Sequence, residues 1–179
     1  MSHAQYRALL GAVYTPAYRG VFAVMYGCGL RVSEAVALRV EDVDSAAMTL
    51  RVIGKGNKER LVPLTKGLLD DLRQVYREHQ CKPWLFPNRA RTNHLDAALV
   101  ETLFRRVRRE LGLDESLTPH SLRHGYATRL LEQDVPVETV RILMGHESIK
   151  TTQIYLHLTE PVRARVQQAA ASFHVALFA

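Results

Sequence analysis

Apolar side chains recur at helical spacing in three separate segments of this chain, and this periodicity constrains its fold more than any other feature. The first stripe comprises Val21, Val24, Met25 and Cys28, the second Leu68, Leu72, Val75 and Tyr76, and the third Val100, Leu103, Phe104, Val107 and Leu111. Because residues three and four apart share one face of a helix, each stripe predicts a helix packed against a core. About twenty residues precede the first of these predicted core helices.

A β-hairpin is predicted between the first two stripes. Residues 48–53 and 60–64 are rich in side chains that favour strands, and the segment Gly54-Lys55-Gly56-Asn57-Lys58 between them has the composition of a turn. Lys55 is therefore expected at or near the tip of the hairpin. Together with the helical stripes, this pattern predicts a mainly α fold with a small antiparallel β-hairpin or sheet, of the α+β class.

Two further helices are bounded by residues that favour helix ends. A helical stretch is predicted from Thr118-Pro119 through Leu131, with Thr118 as a candidate cap and Pro119 where a missing N–H costs little. A shorter helix is predicted over residues 137–144, and Gly145 is expected to end it.

The bulk properties predict one domain. The chain has 179 residues, of which 47% are hydrophobic, and this is enough to bury one sizeable core. No internal repeat, low-complexity segment or linker rich in Pro, Gly or Ser divides the chain. We therefore expect a single domain over residues 1–179, with a core over 1–159 and a C-terminal helix and apolar tail over 160–179.

The charge balance favours a polyanionic partner. Lys and Arg number 24 against 18 Asp and Glu, so the formal net charge is +6 and the isoelectric point is about 9.6. Cys28 and Cys81 lie far apart, which argues against a disulfide framework or a cysteine zinc site. No apolar run approaches the roughly 18 residues of a membrane span. We therefore expect a protein of the reducing cytoplasm with no membrane partner.

Five short motifs follow one another along more than a hundred residues of the chain. They are Gly29-Leu30-Arg31-Val32-Ser33-Glu34, Gly54-Lys55-Gly56-Asn57-Lys58-Glu59-Arg60, His120-Ser121-Leu122-Arg123-His124, Leu143-Met144-Gly145-His146 and Thr151-Thr152-Gln153-Ile154-Tyr155. Together they resemble the tyrosine recombinase family, most closely its Xer-like and integrase members. The resemblance implies the catalytic-domain architecture of that family and site-specific cutting and rejoining of double-stranded DNA.

The resemblance also assigns catalytic roles. In-line attack on a phosphodiester requires a nucleophile, charge stabilisation for the pentacoordinate phosphorane and a proton for the leaving oxygen. By the resemblance, the residues that supply these are Arg31, Lys55, His120, Arg123, His146 and Tyr155. Tyr155 would be the nucleophile and would leave a 3′-phosphotyrosyl bond and a free 5′-hydroxyl.

Each of the other assigned residues has a matching chemical property. Arg31 and Arg123 would clamp the non-bridging oxygens, because a guanidinium fork matches phosphate geometry and stays charged. Lys55 would protonate the leaving 5′-oxygen. His120 stands three residues before Arg123, on the same predicted helix face. Whether His120 or His146 accepts the tyrosine proton is left open by the sequence.

No metal or cofactor site is expected. His120 and His124 stand four residues apart, but a zinc site needs a third ligand and no His-Glu-x-x-His pattern is present. The acidic residues that would have to form a two-metal nuclease cluster do not make a convincing one: Glu34, Asp42, Asp44 and Glu59. Glu34 is instead expected to orient Arg31 or to cap a helix, and His124 to pack beneath the site.

A helix-turn-helix regulator is the alternative outside the enzyme class. Residues 136–156 can form a helix, a turn at 145–146 and a second helix, and the protein is basic. This alternative explains Gly145 but leaves Arg31 and the Lys55 hairpin without a function. Within the enzyme class, a type IB topoisomerase uses the same chemistry, although the motifs around Lys55 and Gly145 look more like those of integrases.

The N-terminal and C-terminal segments of the chain lead to two expectations about its binding partners. Full-length family members usually carry an N-terminal helical DNA-binding domain that closes around the duplex, and we expect this clamp domain to be absent here. In the family, a C-terminal segment such as 160–179 often docks on a neighbouring protomer, which predicts self-association or a partner recombinase on DNA. Docking of this segment on its own domain is the alternative.

Overall fold

The computed structural model describes residues 1–54, 56–145, 160–172, 174 and 177. Within these ranges the helices are α1 (His3–Gly11), α2 (Pro16–Cys28), α3 (Val32–Val36), α4 (Lys66–His79), α5 (Ala97–Glu110), α6 (Pro119–Glu132), α7 (Val137–Leu143) and α8 (Glu160–Ala171), with a 3-10 turn at Val40–Asp42. The strands are β1 (Val43–Asp44), β2 (Thr49–Ile53) and β3 (Glu59–Pro63). The predicted class, mainly α with a small antiparallel sheet, is confirmed. None of the helices described is both long enough and apolar enough to span a bilayer.

The strands form one antiparallel sheet in the order β1-β2-β3. The predicted hairpin corresponds to β2 and β3, which pair along their whole length. The two-residue strand β1 was not predicted, and it pairs Val43 with Leu50 on the other side of β2. Alternate residues of the hairpin face the core, as the pleat of a strand requires. These inward residues are Leu50, Val52, Arg60 and Val62.

Helix α2 forms the middle of the core and packs against both α4 and α6. Val21, Val24, Met25 and Cys28 are completely buried, so the first apolar stripe is confirmed. Gly29 ends α2 in the left-handed conformation, with φ at +66°, and a glycine adopts this conformation without a steric penalty. The chain therefore turns sharply just before Arg31.

Helix α1 belongs to the core, although no apolar stripe predicted it. The Gln5 N–H donates to Ser2 Oγ at 3.2 Å and the Ser2 N–H donates to Gln5 Oε1 at 2.8 Å, so the first turn is capped in both directions. Tyr6 is buried and its ring stacks on that of Tyr26 with centroids 3.7 Å apart. The expectation that about twenty residues precede the first core helix is therefore wrong, because a core helix begins at His3.

The predicted ends of α6 and α7 are confirmed. Thr118 precedes α6, and its backbone N–H donates to Ser121 Oγ at 3.0 Å. Pro119 is the first residue of that helix. Gly145 follows α7 with φ at +65°. The two glycine stops, at Gly29 and Gly145, bring the ends of α2 and α7 close to α6.

The third apolar stripe is correct in its first turns and wrong at its end. Val100, Phe104 and Val107 are completely buried, whereas Leu111 is 36% exposed. Helix α5 ends at Glu110, so Leu111 is its capping residue and its side chain no longer follows the buried face.

The C-terminal segment packs on its own domain. Val166 and Ala169 of α8 are completely buried, and α8 contacts α6 and β3. Farther along, His174 Nε2 lies 2.7 Å from Asp71 Oδ2 of α4, and Leu177 is buried. The sequence left open whether this segment docks on a neighbouring protomer or on its own domain. In the structure of the single chain it docks on its own domain.

Candidate active site

The candidate site is organised around the carboxylate of Glu34, in the first turn of α3. The backbone N–H of Arg31 donates to Glu34 Oε2 at 2.8 Å, and the Arg31 guanidinium donates from Nη1 to Oε1, also at 2.8 Å. The Glu34 side chain is only 4% exposed, whereas that of Arg31 is 36% exposed. Glu34 thus caps α3 and orients Arg31, which confirms both roles expected for it.

Arg123 of α6 lies beside the same carboxylate. Its side chain is buried, and Nη1 lies 3.8 Å from Glu34 Oε2. Nη1 donates to the carbonyl of Gly29, and Nη2 donates to the carbonyl of Met144. These bonds hold α6 to the ends of α2 and α7, and they join residues as far as 94 positions apart. The fold therefore brings together Arg31 and Arg123, as the motif assignment predicted.

The electrostatics of the cluster keep Glu34 and Arg123 charged near neutral pH. Burial, followed by the positive charge of Arg31, lowers the pKa of Arg123 to about 10, while Glu34 acts in the opposite direction. Burial by itself would raise the pKa of Glu34, but hydrogen bonding and charge from Arg60, and then hydrogen bonds from Arg31, hold it at about 2. The arginines outnumber the carboxylate, so the cluster attracts an anion such as a phosphate.

Arg60 also belongs to this cluster, although its motif predicted no role for it. It is 3% exposed, and Nη2 and Nη1 donate to Glu34 Oε2 and Oε1 at 2.7 and 3.0 Å. Its Nε donates to the carbonyl of Leu143 at 3.0 Å. The signal was present in the alternation of the strand, because Arg60 shares the inward phase of Val62 and a buried charge requires a partner.

The two histidines of α6 differ from the buried arginine between them. His120, at the second position of the helix, is exposed, so its imidazole is open to a ligand. Its joint contact with Arg123 to one phosphate stays a prediction. His124 was expected to pack beneath the site, and this is wrong, because His124 is exposed. It follows Arg123 by one residue, which turns it about 100° around the helix and away from the buried face.

Three of the predicted catalytic residues, Lys55, His146 and Tyr155, lie outside the described residues. The glycines that precede the first two are described. A methyl group on Gly54 would lie 3.4 Å from Glu34 Oε1, and one on Gly145 would lie 3.1 Å from Arg60 Nη1. The residues immediately before Lys55 and His146 in the chain therefore both approach the Arg60–Glu34 pair.

The other carboxylates considered as metal ligands are engaged away from this cluster. Asp42 Oδ1 lies 2.7 Å from Arg51 Nη2, and Glu59 Oε1 lies 3.3 Å from Arg51 Nη1. Asp44 accepts from the backbone N–H of Ala46 at 3.0 Å and caps a turn. In the part of the chain that the structure describes, His, Cys, Asp and Glu side chains do not gather in groups of three.

The arrangement of the helices and the sheet is that of a known family. The family model described as "Phage integrase family" matches residues 1–161. The chain belongs to the phage integrase family. Tyrosine recombinase XerD of Pseudomonas putida is 36% identical over 166 residues, which are 87% of this chain and 53% of that protein. Tyrosine recombinase XerD of Yersinia pestis is 40% identical over 164 residues, which are 84% of this chain and 53% of that protein.

Solved structures agree with the fold. The integrase from mycobacterium phage Brujita matches with a TM-score of 0.76 at 24% identity, over 99% of this chain and 58% of that one. The XerA recombinase matches with a TM-score of 0.72 at 25% identity, over 94% of this chain and 62% of that one. The chain spans about half the length of the curated relatives it matches.

Proposed function

We propose that this chain is the catalytic domain of a site-specific DNA recombinase, which cleaves and rejoins DNA strands through a covalent bond to Tyr155 and needs no metal ion. One observation carries the proposal: Arg31 and Arg123, from two distant elements, are held beside one buried carboxylate, that of Glu34. The recombinase relatives support it. One of them, XerH, has been solved with its difH substrate in a post-cleavage complex.

The two arginines bind the scissile phosphate. A guanidinium presents paired N–H donors that match two phosphate oxygens, and its charge persists at any working pH. Arg31 is held by Glu34 and remains partly exposed, whereas Arg123 is buried and fixed by two carbonyls. Because both groups are already oriented, they stabilise the phosphorane without reorganising when charge develops on it.

The covalent step exchanges one phosphate ester for another. Tyr155 Oη attacks the phosphorus, the bond from phosphorus to the 5′-oxygen breaks, and the DNA 3′-phosphate stays on the tyrosine. The phenol proton passes to a histidine, either His120 or His146, and Lys55 gives a proton to the departing 5′-oxygen. Rejoining reverses each transfer, so no external energy source is consumed.

Two partners are proposed: double-stranded DNA and a second recombinase protomer. The proposed location is the cytoplasm. The C-terminal segment packs on its own domain through α8 and Leu177. We propose that on DNA this segment moves to a neighbouring protomer and links the two. Band-shift analysis of the stoichiometry on a two-site duplex tests this: Leu177→Asp should bind as separate single protomers where the unchanged chain binds as pairs. If Leu177→Asp and the unchanged chain bind the duplex as pairs to the same extent, the proposed movement of the segment to a neighbouring protomer is wrong.

A nicked suicide substrate tests the proposed activity. The nick lets the cleaved fragment diffuse away, so the covalent complex accumulates and survives denaturant. The unchanged chain should form this complex and Tyr155→Phe should not. Tyr14→Phe is the matched control, because Tyr14 is 89% exposed and no role is proposed for it. A covalent complex that persists in Tyr155→Phe would refute the assignment of the nucleophile.

A further inference from the structure

We propose that Arg60 is a positioning residue of the active site: it occupies both oxygens of Glu34, so that Glu34 does not capture Arg123 and Arg123 stays available to the phosphate. The inference rests on the proposed function, in which Arg123 binds that phosphate. Arg60 acts through Glu34 and not on DNA, because its side chain is only 4% exposed.

One side chain joins three elements here. From β3, Arg60 donates to both oxygens of Glu34 in α3 and, through Nε, to the carbonyl of Leu143 at the end of α7. Leu143 stands 83 residues from Arg60 in the sequence. Gly145, just after α7, also packs on this guanidinium, because an added methyl group would lie 3.1 Å from Nη1. Arg60 therefore sets the relative placement of the elements that surround the cluster.

The acceptor sites of Glu34 are filled only while Arg60 is present. Oε1 accepts from the guanidinium groups of Arg31 and Arg60, and Oε2 accepts from Arg60 and from the backbone N–H of Arg31. A carboxylate offers about four lone-pair sites, so these bonds use its capacity. Arg123 Nη1, at 3.8 Å from Oε2, lies beyond hydrogen-bond distance and donates to Gly29 instead.

Loss of Arg60 would change this competition. We expect Glu34 to keep its negative charge, because Arg31 still donates two hydrogen bonds to it, but the two acceptor sites that Arg60 filled would be empty. A buried carboxylate with unfilled sites attracts a neighbouring donor, and Arg123 Nη1 lies 3.8 Å from Glu34 Oε2. Closing the gap needs a shift of roughly 1 Å, and a misplacement of that size at a catalytic group costs on the order of 100-fold in rate.

The competition predicts a rescue that a merely structural role does not. In Arg60→Gln, single-turnover cleavage at saturating DNA should fall by about 100-fold, with little change in the DNA concentration for half-saturation. Adding Glu34→Gln removes the charge that captures Arg123 and keeps an amide oxygen for Arg31. The double variant should therefore cleave at least about tenfold faster than Arg60→Gln alone.

Two further variants separate positioning from loss of stability. Arg60→Lys keeps the charge but lacks the planar fork that serves two oxygens and a carbonyl, so its cleavage rate should also fall. Arg51→Lys is the matched control, because Arg51 lies on the adjacent strand and pairs with carboxylates outside the cluster. It should cleave like the unchanged chain. All rates are measured at a temperature at which circular dichroism shows the variants folded.

The outcomes are distinct. A double variant no faster than Arg60→Gln, or an Arg60→Gln that cleaves like the unchanged chain, overturns the positioning role. The double variant removes both charges of the Arg60–Glu34 pair together. Its rate relative to the unchanged chain is therefore a second comparison: a loss of about tenfold or less supports the role, and a larger loss overturns it. An unchanged chain that forms no Tyr155-dependent complex overturns the proposed function itself.

Discussion

The Arg60 guanidinium and the Glu34 carboxylate form a buried two-pronged ion pair, with nitrogen–oxygen distances of 2.7 and 3.0 Å. The pair connects β3 to α3, and Arg31 and Arg123 flank it. It therefore has two consequences that can be measured apart, one for the stability of the fold and one for the chemistry of the site.

Stability should fall in acid because of Glu34. Its pKa in the fold is about 2, below the value near 4.3 expected for an exposed glutamate. A lowered pKa contributes stability that is present above the unfolded value and is lost as the pH falls toward 2. The difference in unfolding free energy between the unchanged chain and Glu34→Gln should shrink by about 3 kcal/mol between pH 5 and pH 2.

Urea unfolding at each pH checks this expectation. Glu138→Gln is the control, because the Glu138–Arg141 pair is exposed on the surface and contributes little to stability. Its difference from the unchanged chain should stay nearly constant over the same range. An equal pH dependence in Glu34→Gln and in the unchanged chain would show that the buried pair does not set the acid limit of this fold.

Lys55 should be separable from the arginines by the leaving group. A substrate with sulfur at the bridging 5′ position has a leaving group that needs no proton, so Lys55→Ala should cleave it nearly as fast as the unchanged chain. Arg31→Ala and Arg123→Ala should stay slow on both substrates, because the phosphorane charge must still be stabilised. Cleavage rates on the oxygen and sulfur substrates make the comparison.

Lys58→Ala is the matched control for Lys55, since it removes a lysine from the same turn. It should show no selective rescue by sulfur. Rescue in Lys58→Ala instead would place the general acid three residues farther along the turn. A lack of rescue in both variants would mean that the hairpin positions DNA and does not supply the proton.

The docked C-terminal segment should be sensitive to a methyl group in α4. Added to Gly67, this group would lie 2.4 Å from the His174 ring, so Gly67→Ala should displace His174 from Asp71. The unfolding free energy should fall by about 1 kcal/mol or more. Amide hydrogen exchange at Leu177 should also accelerate, because its N–H donates to Asp71 at 3.3 Å.

Gly11→Ala provides the opposite case. Among the described residues, and apart from its chain neighbours and the backbone of its own helix, no heavy atom lies within 4 Å of a methyl group built on Gly11, and its φ is not positive. This substitution should leave the tail unchanged and raise the unfolding free energy by up to about 1 kcal/mol. Unaltered exchange at Leu177 in Gly67→Ala would show that the His174 contact does not hold the segment.

Local signals explain which parts of the fold were predictable. The turn composition of residues 54–58 predicted the hairpin, and Thr118-Pro119 and Gly145 predicted helix ends, because each depends on a few adjacent residues. The strand β1 was missed since two residues carry no periodicity, and it forms only by pairing with β2. Helix α1 was missed because its buried side chains, Tyr6, Leu9 and Leu10, form a stripe of little more than one turn.

The residues of the candidate site also differ in whether adjacent residues make them predictable. Arg31, His120 and Arg123 were predicted from motifs, and the fold places Arg31 and Arg123 beside one carboxylate. The strand alternation indicates that Arg60 is buried, but its partners lie 26 and 83 residues away and no local pattern encodes them. His124 was misplaced for a similar reason: spacing alone does not say which face of α6 meets the core.

Chelation should leave cleavage intact. In the proposed mechanism, the guanidinium groups of Arg31 and Arg123 supply positive charge and Lys55 supplies a proton, so phosphoryl transfer needs no metal ion. Covalent complex formation in EDTA should therefore proceed at the rate seen without it. Complete loss in EDTA, restored by added Mg²⁺, would indicate a nuclease-type mechanism instead.

The most direct test of the proposed chemistry is mass spectrometry of the covalent complex. Trypsin should release the peptide Thr151–Arg163, which contains Tyr155 as its single tyrosine. After trapping on a nicked duplex and nuclease digestion, this peptide should carry a nucleotide 3′-phosphate on Tyr155. A nucleotide on any other residue, or an unmodified peptide alongside confirmed cleavage, would contradict the account.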